Sequence, residues 1–265
     1  GTPEQRRIET DWDPVSSQML ARRVYRDPGN TGAGVLEEQV AYTYDPASRN
    51  LLTRTQTDPV TGNIRRSSYT YCSASDVANG ASTGCAFVAQ LRMEDGPRTD
   101  VVDTTTYSYR LANDAGCASN GVCNYHKGDL WKRTNALGQV TEYVRYDSAG
   151  RVTRLKDANG VLTDMTYHLR GWLQTSTVRV DPTGVPNAGD AITTLGYDDA
   201  GLVSRVTAPD GVYLDYTYDA AQRLTRITDS LGNRIDYTLD ASGHRTAENT
   251  RDPGGQLKRT LGRIY

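Results

Sequence analysis

A fixed period constrains this chain more than any single residue does. "YDSAGRVTRLKDANGVLTDMTY" runs from Tyr146 to Tyr167, "YDDAGLVSRVTAPDGVYLDYTY" from Tyr197 to Tyr218, and "YDAAQRLTRITDSLGNRIDYTL" from Tyr218 to Leu239, each a step of 21 residues. Between Tyr167 and Tyr197 the step is 30, one unit lengthened by the loop "DPTGVPNAGDAI" at 181–192. "DLWKRTNALGQVTEYVRY" adds a copy before Tyr146, and a longer copy spans Tyr44 to Tyr71. After the last full unit, "LDASGHRTAENTRDPGGQL" continues the pattern with Leu239 in the tyrosine place. Repetition therefore covers most of residues 40–260, behind a less regular lead-in at 1–40, and a chain of self-similar units implies stacked supersecondary blocks.

Within a unit the order is Tyr, Asp, two variable residues, often Gly, then Arg, two apolar residues three apart, an Asp or Asn, and a Gly three later. The repeat-defining positions are Tyr44, Asp45, Tyr146, Asp147, Gly160, Tyr167, Tyr197, Asp198, Gly211, Tyr218, Asp219 and Gly232. Asp or Asn bonds its own backbone and Gly accepts positive φ, so the stretches ending at Gly138, Gly160, Gly211 and Gly232 read as hairpin turns. Tyr42 with Tyr44, Tyr69 with Tyr71, Tyr107 with Tyr109, Met165 with Tyr167 and Tyr216 with Tyr218 sit two apart, which puts both side chains on one face of a strand. Val152 and Leu155, Val203 and Val206, and Leu224 and Ile227 sit three apart instead, which predicts a bulge or strong twist at that end. Each unit is thus a β-hairpin, too short to carry a helix between its turns. The fold class expected is all-β, with antiparallel hairpins of about 21 residues stacked into one repeat domain over 1–265, advancing roughly 10 Å per unit. A sheet that long must twist and coil, and its Tyr face becomes a ladder whose hydroxyls need partners.

The recurring Tyr-Asp, Gly-Arg and Asp-x-x-Gly marks resemble the YD repeat of the Rhs family, found in bacterial Rhs and wall-associated polymorphic toxins, in the C component of insecticidal Tc complexes and in teneurins. That resemblance implies a spiralling, solenoid-like sheet that forms a hollow shell, inside which toxin members hold a C-terminal effector. It implies a structural role without enzymatic activity, in a secreted or cell-surface setting, with toxin cargo as the enclosed partner. Eight or nine units are fewer than the family's complete shells contain, so the rest of a longer repeat chain, or other copies of this one, would complete the wall. The family core ends in a "DPxGL" segment associated with self-cleavage; "RDPGGQL" at 251–257 is similar only in part and falls where an ordinary repeat turn belongs.

Lys plus Arg is 30 against Asp plus Glu at 32, so the net charge of -2 gives no reason to expect nucleic acid or an anionic membrane as partner. No window approaches the 18 apolar residues of a membrane span. The opening "GTPEQRRIETDWDP" lacks a signal-peptide run, so any export signal has been removed or lies outside this sequence. Apolar residues are 37% and Tyr is 17 against one Phe, a composition that buries amphipathic rings in place of a greasy core. All four cysteines fall in two Gly- and Ser-rich insertions, 72–85 and 113–126, which read as loops. Their even number suggests two disulfides and an oxidising compartment. Three connectivities exist; Cys72 with Cys85 and Cys117 with Cys123 is favoured because each closes its own loop, against free thiols.

Catalytic, cofactor and metal sites are not expected. His126, His168 and His244 are scattered, and His168 occupies the Asp place of a Tyr-Asp pair, as a substituted repeat residue would. One Asp per turn does not supply the six to eight oxygens of a calcium site. Trp131 and Trp172 are read first as core filling and second as aromatics facing a carbohydrate or a cell-surface receptor. Unpaired strand edges offer a third use, a self-assembling extracellular filament.

Overall fold

The computed structural model describes residues 5–27, 34–119 and 122–264. Parts of the lead-in (1–4 and 28–33), residues 120–121 of the second cysteine loop and residue 265 lie outside the described residues. The described residues are all-β apart from three short helices, and they form two compact units, 1–151 and 152–265.

The first unit contains β1 (Gln5–Trp12), β2 (Met19–Asp27), β3 (Val35–Tyr44), β4 (Leu51–Thr57), β5 (Ile64–Tyr71), β6 (Leu91–Asp95), β7 (Thr104–Tyr109), β8 (Leu130–Thr134) and β9 (Val140–Tyr146). Each pairs antiparallel with the next in sequence, a meander without crossovers. The second unit contains β10 (Val152–Lys156), β11 (Leu162–Tyr167), β12 (Leu173–Val178), β13 (Ala191–Tyr197), β14 (Val203–Thr207), β15 (Tyr213–Tyr218), β16 (Leu224–Asp229), β17 (Arg234–Leu239), β18 (Arg245–Arg251) and β19 (Leu257–Gly262), paired in the same way. No helix among the described residues is long and apolar enough to cross a membrane.

The i, i+2 reading of the tyrosines holds. In β15, Tyr216 and Tyr218 are half-buried and Thr217 between them is exposed; Thr43, Thr70 and Thr166 are exposed in the same way before Tyr44, Tyr71 and Tyr167. Spacing by three also has the predicted cause. Tyr218 faces Leu224 while Thr217 faces Arg226, so Thr225 is an extra residue on β16. The same bulge adds Leu52 in β4, Arg92 in β6, Trp131 in β8, Gln174 in β12 and Ser204 in β14. A bulge re-aims the strand by one residue, which lets apolar residues three apart share a face. Full burial of apolar side chains is sparse: Ala21, Val24, Val40, Cys72, Cys85, Ala86 and Leu162 are the buried ones among the described residues.

One local expectation needs correction. The first cysteine loop is not irregular throughout, because it folds into α1 (Ala74–Ala78) and α2 (Gly80–Thr83). Ser73 and Asp76 form a reciprocal capping box, which satisfies the first free N–H groups of so short a helix. A further turn, α3 (Gly116–Ser119), lies in the second loop. "RDPGGQL" is the β18–β19 turn, closed by Asp252 N–H to the Gln256 carbonyl at 3.0 Å.

Candidate functional site

The repeat motif resolves into one clamp used again and again. The Tyr-Asp-x-x-Gly stretch is itself a hairpin turn, equivalent to the Asp-x-x-Gly turn at the other end of the hairpin. At Asp147 the residue's N–H donates to the Arg151 carbonyl (2.9 Å) and Gly150 N–H donates back to the Asp147 carbonyl (3.0 Å). The same pair of bonds closes the turns that begin at Asp157, Asp198, Asp219, Asp229, Asp240 and Asp252. One carboxylate oxygen of Asp147 accepts from the Ala149 and Arg151 N–H groups; the other accepts from the Arg151 guanidinium at 2.7 Å. Asp219 with Arg223, and Asp240 with His244, repeat this lock. The Arg223 guanidinium holds the Asp219 carboxyl below the usual carboxylate range; at Asp147 burial pushes the other way and is outweighed by the Arg151 bonds. Gln222 stands where Gly is usual, with φ of 62°, and still completes its turn.

The tyrosine is the second half of the clamp. Tyr71 donates its hydroxyl to the Leu51 carbonyl (2.9 Å), Tyr109 to Leu91 (2.6 Å), Tyr146 to Leu130 (2.7 Å), Tyr197 to Leu173 (2.6 Å) and Tyr218 to Val203 (2.9 Å). Tyr44 and Tyr167 reach Met19 and Val152 likewise. Each acceptor opens its strand. Leu51, Leu91, Leu130, Leu173 and Val203 are also the residues that face the preceding tyrosine across a bulge. Tyr197, for example, faces Val203, and Val203 accepts from Tyr218, so within each unit a hydrogen bond links one rung to the next. Leu239 faces Arg245 in the tyrosine place and brings no hydroxyl, which ends the series. Burial raises the Tyr44, Tyr71, Tyr109, Tyr146 and Tyr218 hydroxyls above the ordinary tyrosine value.

Across three hairpins of the second unit an Arg faces an Asp ten residues later: Arg154 and Asp164, Arg205 and Asp215, Arg226 and Asp236. The first pair is buried by the long loop. Arg179 bridges Asp164 and Asp190 at 2.7 Å each, and Arg154 donates to the Gly184 carbonyl at 3.2 Å. The repeat's own ion pair thus anchors the lengthened 181–192 segment.

His168 sits in the turn as the substituted Asp it was expected to be: its Nδ1 accepts the Arg170 N–H at 3.2 Å. Its ring stacks on Trp172 with centroids 5.3 Å apart, Tyr197 tilts against the same indole at 5.1 Å, and the Gly201 backbone abuts its benzo end. Trp131 donates its indole N–H to Glu142 at 2.7 Å and carries the Lys132 ammonium at 3.9 Å and the Arg110 guanidinium at 5.1 Å. Both indoles are half-buried and engaged within the repeat.

Both disulfides form as favoured, Cys72 with Cys85 and Cys117 with Cys123. The segments that follow the two loops meet, since Gln90 donates to the Gly128 carbonyl at 2.9 Å and Phe87 packs on Gly128. His126 lies beside the second disulfide, its Nε2 3.3 Å from Cys123 Sγ. The three histidines are scattered in the sequence, and the signal for this contact is the Cys-x-x-His spacing of 123–126. The two sulfurs and the imidazole lie within 4.8 Å of one another, with the sulfurs bonded to each other.

Comparison with known proteins gives one family. The model described as RHS Repeat matches at 126–162, 146–186, 197–234 and 218–257, just under half of the chain. No curated protein matches. Among solved structures the chain is similar to a Photorhabdus luminescens Tc holotoxin pore carrying a TccC3 variant (14% identity, TM-score 0.41), covering 96% of this chain and 15% of that one. A TcdB2–TccC3–Cdc42 crystal structure (15% identity, TM-score 0.46) is covered over 13% of its length, as is a TcdB2–TccC3 structure lacking the hypervariable C-terminal region (15%, 0.44). The chain therefore spans about a seventh of the solved chains it matches.

Proposed function

Because this chain is an Rhs/YD-repeat protein, we propose that it is a structural, non-enzymatic segment of a YD-repeat shell, part of a secreted or surface polymorphic-toxin-like protein whose wall encloses or presents cargo. One observation carries this reading: the polar side chains that would tempt a catalytic assignment are consumed in building the wall. The Tyr hydroxyls go to strand-opening carbonyls, the Asp carboxylates to turn N–H groups, and the turn Arg residues to those carboxylates. Buried backbone groups require such partners. Two disulfides suit an oxidising, extracellular setting. The wall's partners are further repeats of a longer chain or other copies of itself, joined by strand addition at a sheet edge. The carbohydrate or receptor reading is less supported, since Trp131 and Trp172 spend their rings on neighbours within the repeat.

Electron microscopy of the chain, with light scattering over a concentration series, tests the reading. A curved wall around a lumen is the expected image. A solid rod would overturn the shell, and growth into fibres with concentration would replace it by a filament subunit.

A further inference from the structure

The two disulfides sit in opposite surroundings. Cys72 and Cys85 are 2% and 1% exposed, whereas Cys117 and Cys123 are half-exposed on a loop that closes over a separation of 6 residues. The second has a base beside it, His126 Nε2 at 3.3 Å from Cys123 Sγ. His126 is exposed and its position is fixed, because its backbone N–H donates to Asp129 at 2.7 Å and its carbonyl accepts the Asp129 N–H at 3.1 Å. The Tyr125 carbonyl lies 3.7 Å from Cys117 Sγ and 3.3 Å from Cys123 Sγ, so either sulfur, once a thiol, has an acceptor already in place.

We propose that Cys117–Cys123 is a thiol-exchange site for small-molecule thiols, with Cys117 the sulfur attacked and Cys123 the leaving sulfur received by His126. A thiolate RS⁻ attacks Cys117 Sγ; the new S–S bond forms, the Cys117–Cys123 bond breaks, and its electron pair leaves on Cys123 Sγ. The His126 imidazole, its Nε2 3.3 Å from Cys123 Sγ, is placed to hand that sulfur a proton or to hold it as the thiolate. A second RSH then attacks the mixed disulfide and releases RSSR, so two thiols are oxidised and one protein disulfide is reduced. Exchange is faster when the leaving thiol has a low pKa, and a neighbouring imidazolium lowers it. This site is independent of the shell reading, because it needs only the second loop.

The test uses the full chain with reduced glutathione, timed alkylation and peptide mass analysis. Expected are a glutathione adduct on Cys117 and alkylation of Cys117 and Cys123 well before Cys72 and Cys85. His126→Gln slows the exchange roughly tenfold and His126→Lys, which returns a positive charge, recovers most of the rate. Continued protection of Cys72–Cys85 reports that each variant is folded. Equal opening rates for the two disulfides, an adduct on Cys123, or an unchanged rate in folded His126→Gln would each overturn the proposal; the first two are read on the unsubstituted protein.

Discussion

Replacing Tyr146 with phenylalanine deletes one oxygen and leaves the Leu130 carbonyl, 2.7 Å from it, without that donor. A net hydrogen bond contributes about 0.5–1.5 kcal/mol, and a buried acceptor left unmade costs more, so about 1–2 kcal/mol is expected at this half-buried rung. For a unit of some 150 residues this is roughly a 2–8 °C fall in Tm. The matched control is Tyr143→Phe in the same strand, which takes no hydroxyl from a rung. Urea denaturation followed by circular dichroism measures both, with amide hydrogen exchange at the start of β8 as the local readout. If the urea midpoint of Tyr146→Phe matches the parent's, and exchange near Leu130 does not quicken, the hydroxyl is not what fastens one hairpin to the next.

Leu239→Tyr supplies the rung that the series lacks and is expected to stabilise the second unit by about 0.5–1 kcal/mol, measured by the urea midpoint. Alkali has a signed effect. The rung hydroxyls titrate above their unfolded value of 10.0, chiefly through burial, so their contribution is complete below about pH 10 and is lost as pH rises through the folded values; absorbance at 295 nm and Tm against pH read this directly, and a Tm flat to pH 12 would refute it. Asp164→Asn breaks the network of Arg154 and Arg179, whose side chains are 9% and 17% exposed, and is expected to cost about 2–4 kcal/mol, whereas Asp215→Asn at the exposed pair is expected to leave the midpoint almost unchanged. Gly201→Ala forces a Cβ to within 2.5 Å of Trp172 at a φ of +89° while Gly211→Ala meets open space at +86°, so about 3 kcal/mol is expected for the first and about 1 for the second.

Most of the architecture was legible because it is periodic. Tyr216 and Tyr218 two apart fixed a face, and Leu224 and Ile227 three apart called for the bulge that Thr225 provides. The disulfide pairing followed from loop closure. What could not be read was anything that depends on register. Tyr218 and Val203 are 15 residues apart, and no local pattern joins them; the hydroxyl finds that carbonyl only once Arg205 faces Asp215 and the hairpin's length is set. The double turn is hidden for a different reason. Asp219 reads in the sequence as a mark of the repeat beside its tyrosine, yet its carboxylate does the same work as Asp229 in the following turn. Helix α1 hid in a Ser- and Gly-rich loop because a capping box, Ser73 with Asp76, outweighs poor propensity over one turn. His126 met Cys123 through a turn that only Asp129 makes visible.

These particulars bear on where function can reside in such a chain. A residue that closes its own turn or caps its neighbour's strand is not available to a ligand without loss of that turn or hairpin, so the motif positions are poor places for specificity to evolve. Insertions are different. The 181–192 segment hangs from Arg154, Arg179 and Asp190, and the segments just after the two cysteine loops are fastened to each other through Phe87, Gln90 and Gly128; each insertion can vary in sequence beyond its anchors while the hairpins beneath keep their register. Reduction of Cys117–Cys123 would loosen one such insertion and spare the buried Cys72–Cys85 bond, so any chemistry on this loop is separable from the stability of the sheet that carries it.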